Sequence, residues 1–466
     1  MKRMIEKLFA LLAFVLIFNV SAMAANNNNS ASAPSSKVVK DWTFIVFMNG
    51  DNNLDANAVK DLKEMRTAGG SNDFMNWVVM LDRAEGPAVS YYVTKDHCVQ
   101  IAKHGEVDMG DYRVYANFVK DTIKKYPAKK YCSIIWNHGT GWKSVRNKAK
   151  FVRGISYDDQ SGNHITTSQL TYALEDITKF LGRRLDLLCF DACLMQMAEV
   201  IAAVKDGADY VVGSEETEPG EGYPYIEILT SMKNGMKVDD VANMIARNYA
   251  ASYDDGSAGY SASTQSVIKT SAYNNFQSSL NSFCKAMMAS DFSAQITKML
   301  DEVQRFSYPT NVDLLNFADL AKRKIKNGAV QTSATKLIDN IKKMVVSNFV
   351  SGYGTGNAYG LAIYFPNMPH KFEHEYAKLA FSKATKWEAM VMDYYNKSVI
   401  KAIMAEIEKG KTALLKDYVA RANENCRDLS LDLIAKVNYM VFTEGRVNDE
   451  KVIKRVKALL GELKNK

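Results

Sequence analysis

A cysteine thiol attacks a carbonyl carbon well only when something nearby takes its proton, and amide hydrolysis also needs N–H donors for the oxyanion that forms. Two short segments of the 466-residue chain hold residue types suited to this: Asn137-His138-Gly139 and Asp191-Ala192-Cys193. In this reading Cys193 attacks and His138 moves protons. The N–H groups of Gly139 and Cys193 hold the oxyanion, because a glycine lets a substrate carbonyl approach the backbone. A helix starting just after Cys193, over 195–205, would favour thiolate through its N-terminal dipole. Taken singly, each residue has a plainer role: the cysteine as a small core hydrophobe, the histidine as a hydrogen-bonding turn residue.

What joins them is their placement. Residues 131–136 (YCSIIW) and 185–190 (LDLLCF) are short apolar runs of the kind that form buried strands, and each runs straight into one of the two polar segments. Similar runs at 42–48 and 77–81 alternate with amphipathic stretches at 54–65, 112–126 and 168–181. Strands alternating with helices predict an α/β fold with a mostly parallel sheet, and such sheets bind ligands at the carboxyl ends of their strands. His138 and Cys193 are therefore expected on one sheet edge. Further strands are expected at 263–269 and 361–366, the latter returning to the sheet. Cys132 and Cys189 lie inside apolar strands and should be inert.

Composition excludes several classes. The chain is 24% charged and 47% hydrophobic, with 59 Lys plus Arg against 52 Asp plus Glu and a net charge of +7, so a nucleic-acid partner is not expected. Lys2, Arg3 and Lys7 precede an apolar run over 8–20 that is too short to span a bilayer, followed by Ala22-Met23-Ala24. This predicts a signal peptide over 1–24, export to the periplasm or medium, and no stable membrane anchor. Residues 25–39, rich in Asn and Ser, read as a disordered linker. Six cysteines are too few for a disulfide framework, and the Cys189/Cys193 spacing lacks nearby histidines for zinc.

Together the two motifs resemble those of the caspase-type cysteine peptidases, and more closely the clostripain family (peptidase family C11). The resemblance extends to WTFIVFMNGDNNL at 42–54, WNHGTGW at 136–142, FDACLMQMAE at 190–199, EPGEGYPY at 218–225 and GLAIYFP at 360–366. It implies a caspase-like α/β/α sandwich: a catalytic domain over 40–260, a mainly helical C-terminal subdomain over 261–400 with strands returning to the sheet, and a charged helical extension over 401–466. It also implies an endopeptidase that cleaves protein or peptide substrates after Arg or Lys. A buried basic side chain needs a paired carboxylate. Asp191 and Glu221 match the family's S1 acids, although Asp191 could instead cap the following helix.

The resemblance further implies a zymogen that cleaves itself in the loop after the catalytic histidine. Residues 143–153 hold five basic residues and no acid, with Lys148 or Lys150 favoured as the cut site over Arg146 or Arg153. The cleaved chains are expected to stay associated. The chemistry needs no cofactor. Calcium, which some members use, stays open, with acidic pairs at Asp158-Asp159 and Asp254-Asp255. Two alternatives remain at this stage: a catalytically silent caspase-like binding or surface protein, and a dyad cutting after Asn or Asp. The charge of Asp191 and Glu221 argues against an Asp-directed pocket.

Overall fold

The runs of β-branched and aromatic residues become a nine-stranded sheet in the computed structural model, which describes residues 38–464 apart from 143–144, 148–149, 153, 369–370 and 426–435. The expected signal peptide and most of the expected linker lie outside the described residues. The strands are β1 (Lys40–Gly50), β2 (Met75–Arg83), β3 (Ala88–Thr94), β4 (His97–Gly105), β5 (Ala128–Trp136), β6 (Leu185–Asp191), β7 (Ala208–Gly213), β8 (Ser263–Lys269) and β9 (Val345–Ser351). Their spatial order is β9-β8-β7-β6-β5-β1-β2-β3-β4. The five central strands, β7-β6-β5-β1-β2, run parallel, and an antiparallel pair extends the sheet at each side.

Both faces of the sheet are covered, which is why the central strands read as unbroken apolar runs rather than alternating ones. Along β1, Trp42, Phe44, Val46 and Met48 enter one core with the helices Asp55–Thr67, Tyr225–Ser231 and Val238–Ser252. Ile45 and Phe47 enter the other, beneath Tyr112–Lys125, Thr167–Leu181 and Tyr273–Met288. The result is an α/β/α sandwich. The helix Thr167–Leu181, which leads into β6, starts at a capping box between Thr166 and Gln169 and stops at Gly182 in the left-handed region (φ 73°).

β8 and β9, from the segment after residue 260, pair on to β7, and one core runs from Ile45 to Tyr395. Two expectations need correction. The segment expected to return to the sheet at 361–366 forms a strand, Ala362–Tyr364, but it pairs with Asn311–Asp313 rather than with the main sheet. The helix expected over 195–205 is only Ala198–Val204. Beyond the helix Trp387–Glu408, the helices Ala413–Asn425 and Glu450–Lys464 close around a small core of their own that includes Ile407, Leu415 and Val456.

Candidate active site

Strand pairing sets the site. β5 and β6 run parallel with Asp191 opposite Trp136, and the Asn137 N–H donates to the Asp191 carbonyl (3.2 Å), carrying the pairing one residue past the strand ends. Two residues beyond Trp136 and Asp191 stand His138 and Cys193, so strands about 4.8 Å apart deliver both to one edge. Gly139 is required by this closeness. A Cβ there would lie 2.3 Å from the Cys193 carbonyl oxygen, a separation no side chain tolerates.

Cys193 is half-buried on a loop, not at a helix start. The next residue, Leu194, is fully buried at φ 63°, a conformation that costs a non-glycine residue about 1–2 kcal/mol, and its N–H donates to the Glu216 carbonyl (3.1 Å). The Cys193 Sγ accepts the Glu218 N–H at 3.2 Å and lies 3.7 Å from the Glu218 carbonyl oxygen. Burial and the Glu218 carboxyl push the thiol up to about 11, against the pull of the Glu218, Cys193 and Gly139 N–H groups. The expected lowering by a helix dipole is therefore absent, since the helix begins five residues later, at Ala198. Cys193 is thus a neutral thiol that accepts the Glu218 N–H, with the expected oxyanion donors, the Gly139 and Cys193 N–H groups, also favouring its charged form.

His138 is half-buried, and its Nε2 lies 2.8 Å from Oδ1 of Asn53. Burial lowers its pKa, and the Asp159 carboxylate opposes that. Asn53 belongs to the turn leaving β1, where the asparagine-rich sequence reads only as a turn signal. The turn is tied down: Asn137 Nδ2 donates to the Asn49 carbonyl (2.6 Å), Asn52 Nδ2 donates to the Tyr157 carbonyl (2.8 Å), and the Tyr157 N–H donates to Asn137 Oδ1 (2.6 Å).

Beside the thiol is a dry group of carboxyls. Asp191 accepts from the Tyr225 hydroxyl (2.7 Å) and the Tyr223 N–H (3.1 Å), the latter reaching it past Gly222 at φ 61°. It caps no helix. The Glu218 Oε1 accepts from Gln265 Nε2 (3.3 Å), and its Oε2 has no hydrogen-bond partner among the described residues. Asp61, on the helix Asp55–Thr67, accepts from Trp136 Nε1 (2.8 Å), and its other oxygen has no partner among the described residues. No Lys or Arg ion-pairs with these three among the described residues. Burial pushes Asp61 up to about 9, Asp191 to about 7 and Glu218 well above the usual carboxylate range; the Asp191 charge adds to the rise at Asp61 and Glu218, and Glu64 to that at Asp191.

Glu221 is not in this group. Its side chain is on the surface, paired with Lys60, and the buried second carboxyl at Asp191 is Glu218, three residues earlier. Both acids lie in one acidic loop, and spacing alone does not tell which turns inward. Of the cut-site candidates, Arg146 and Lys150 are on the strands Val145–Asn147 and Lys150–Val152 of a short hairpin, while Lys148 and Arg153 lie outside the described residues. The acidic pairs do not fit calcium. Asp254 and Asp255 are exposed, Asp158 is taken up by the Met109 and Ser161 N–H groups, and no three His, Cys, Asp or Glu side chains among the described residues are placed to hold a metal.

An α/β/α sandwich that sets a histidine and a cysteine on neighbouring parallel strand ends has the architecture of the caspase-like cysteine peptidases. Comparison narrows this. The clostripain-family profile matches residues 46–425. Clostripain of Hathewaya histolytica is 27% identical over 224 residues, which is 41% of this chain and 42% of that protein, so the match spans less than half of that relative. The fold is shared with a secreted C11 cysteine protease from Bacteroides thetaiotaomicron in complex with an irreversible peptide inhibitor (TM-score 0.58, 21% identity, 75% of this chain and 99% of that one). It is also shared with an inactive zymogen C11 protease from Parabacteroides distasonis (TM-score 0.58, 20% identity, 76% and 99%). The chain belongs to the clostripain family.

Proposed function

We propose that this chain is an exported cysteine endopeptidase that hydrolyses peptide bonds after Arg or Lys, made as a zymogen and cut by itself within 143–153. The observation that carries the reading is a set of buried carboxyls with no basic partner among the described residues, touching the loop that bears Cys193, whose strand neighbours the strand leading to His138. Three carboxyls in a dry site cannot all ionise together, and a cationic side chain entering among them would let one do so in a matched pair. A neutral or acidic P1 residue offers no such partner.

In the reaction, the Cys193 Sγ bonds to the substrate carbonyl carbon while its proton passes to His138. The carbonyl oxygen takes the electron pair and is held by the Gly139 and Cys193 N–H groups. Collapse breaks the C–N bond, and His138 returns the proton to the departing amine. Water, deprotonated by His138, then cleaves the thioester and releases the acid. No step calls on a metal or organic cofactor.

The test compares the mature protein with Cys193→Ala by intact mass, SDS gel and hydrolysis of peptides with Arg, Lys or norleucine at P1. Two fragments joined between residues 143 and 153, with hydrolysis after Arg or Lys, are expected only for the parent. A parent that stays one chain and hydrolyses none of the peptides would refute the reading and favour a binding protein.

A further inference from the structure

We propose that Asn53 is a positioning residue for His138: its amide oxygen fixes the imidazole in the tautomer that leaves Nδ1 free to take the thiol proton. The inference rests on the Cys193–His138 reading above. An amide oxygen only accepts hydrogen bonds, so the ring nitrogen 2.8 Å from Oδ1 must carry a hydrogen. A neutral imidazole has one N–H. With it at Nε2, the lone pair is at Nδ1, and that nitrogen is the base.

Topology supports the assignment. β6, β5 and β1 are adjacent and parallel in the middle of the sheet, with Asp191 opposite Trp136 and Trp136 opposite Met48. Cys193, His138 and Asn53 follow those three positions, so consecutive strands supply the nucleophile, the base and the group behind the base, in that order. The bonds holding the 49–53 turn come from the segments on either side of His138: Asn137 bonds the Asn49 carbonyl, Asn52 bonds the Tyr157 carbonyl, and Asn49 Nδ2 donates to Ser156 Oγ (3.1 Å). Oδ1 is thus placed by packing and does not depend on substrate.

The choice of an amide over a carboxylate has a chemical reason. Burial already favours the neutral ring, and Asp159 is the charge that opposes it. A carboxylate at position 53 would hold the ring as a cation before substrate arrived. The neutral oxygen orients the ring and still steadies the N–H once the proton has been transferred.

The experiment reads the tautomer and the kinetics separately. Two-bond 1H–15N spectra of histidine-labelled Cys193→Ala protein, with His138 assigned by its loss in His138→Gln, should show protonated Nε2 and bare Nδ1. Asn53→Ala should mix the tautomers and lower kcat roughly 10- to 100-fold with KM within about twofold. Asn53→Asp should instead hold the ring as an imidazolium, with hydrogen on both nitrogens. A parent carrying its hydrogen on Nδ1 overturns the proposal even if Asn53→Ala does not fold. An Asn53→Ala protein with unchanged kcat, or with lowered kcat and an unchanged tautomer, overturns it as well. Failure of the underlying reading would look different: a parent with the expected tautomer that hydrolyses no basic-P1 peptide.

Discussion

Replacing Asp61 with asparagine should stabilise the protein, increasingly so as pH rises. Asp61 is 1% exposed, keeps one oxygen on Trp136 Nε1, and is pushed up to about 9 by burial and by Asp191. In the unfolded chain it returns to 3.8. Between those values the folded protein holds a proton that the unfolded chain has released, so stability falls as pH rises, by about 1.4 kcal/mol per pH unit. Below 3.8 the contribution is fully present, and above about 9 the loss is complete. Asparagine keeps an acceptor for Trp136 and has no proton to lose. Urea unfolding of Cys193→Ala and of Cys193→Ala/Asp61→Asn, followed by tryptophan fluorescence at pH 5 and 7, should therefore diverge by about 2–3 kcal/mol across that interval. Slopes contributed by other groups cancel in the comparison. Two stability curves that stay parallel from pH 5 to 7 would refute the reasoning, because Asp61 would then be ionised in the folded state.

Three further outcomes follow from the site. Asp191→Asn should cost basic-P1 peptides about 3–5 kcal/mol of transition-state binding, roughly 200- to 5000-fold in kcat/KM, and should change a norleucine peptide less than tenfold. Gly139→Ala, whose Cβ meets the Cys193 carbonyl at 2.3 Å, should abolish measurable turnover of those peptides while circular dichroism stays native-like. Because the thiol sits up at about 11, alkylation of Cys193 by iodoacetamide should accelerate close to tenfold per pH unit from 6 to 9, as read by peptide mass spectrometry. A flat profile would mean a preformed thiolate–imidazolium pair.

The central strands, and the placement of His138, Gly139 and Cys193 at neighbouring strand ends, were legible in the sequence because each depends on local signals: an apolar run, then polar residues where the run ends. Asn53 was not, since an asparagine in a turn serves the backbone far more often than a neighbouring ring, and only the adjacency of β1 and β5 reveals which it does. Glu218 was missed for a related reason. It and Glu221 share one loop, and the turn through Gly222 decides which acid faces Asp191. The helix expected at Cys193 failed because buried Leu194 adopts positive φ, which breaks the helical path despite the favourable residues that follow. The helices Leu314–Lys324 and Gly328–Met344 also escaped the sequence reading, and the strand β9 that follows them is a half-exposed edge with no clean apolar run.

The strand order divides the sheet at one line. The sheet strands before residue 137 lie on one side as β5-β1-β2-β3-β4, and those after residue 184 lie on the other as β6-β7-β8-β9. His138 follows the first set and Cys193 belongs to the second, so the proposed dyad straddles a seam in the sheet. A cut in 143–153 would turn that seam into a subunit interface without moving a strand, and two separately made halves that found each other would rebuild the site only when correctly mated. With the dyad acting as proposed, catalysis would report on assembly: neither side of the seam holds both residues, and an agent that wedges β5 from β6 would silence the reaction without touching either.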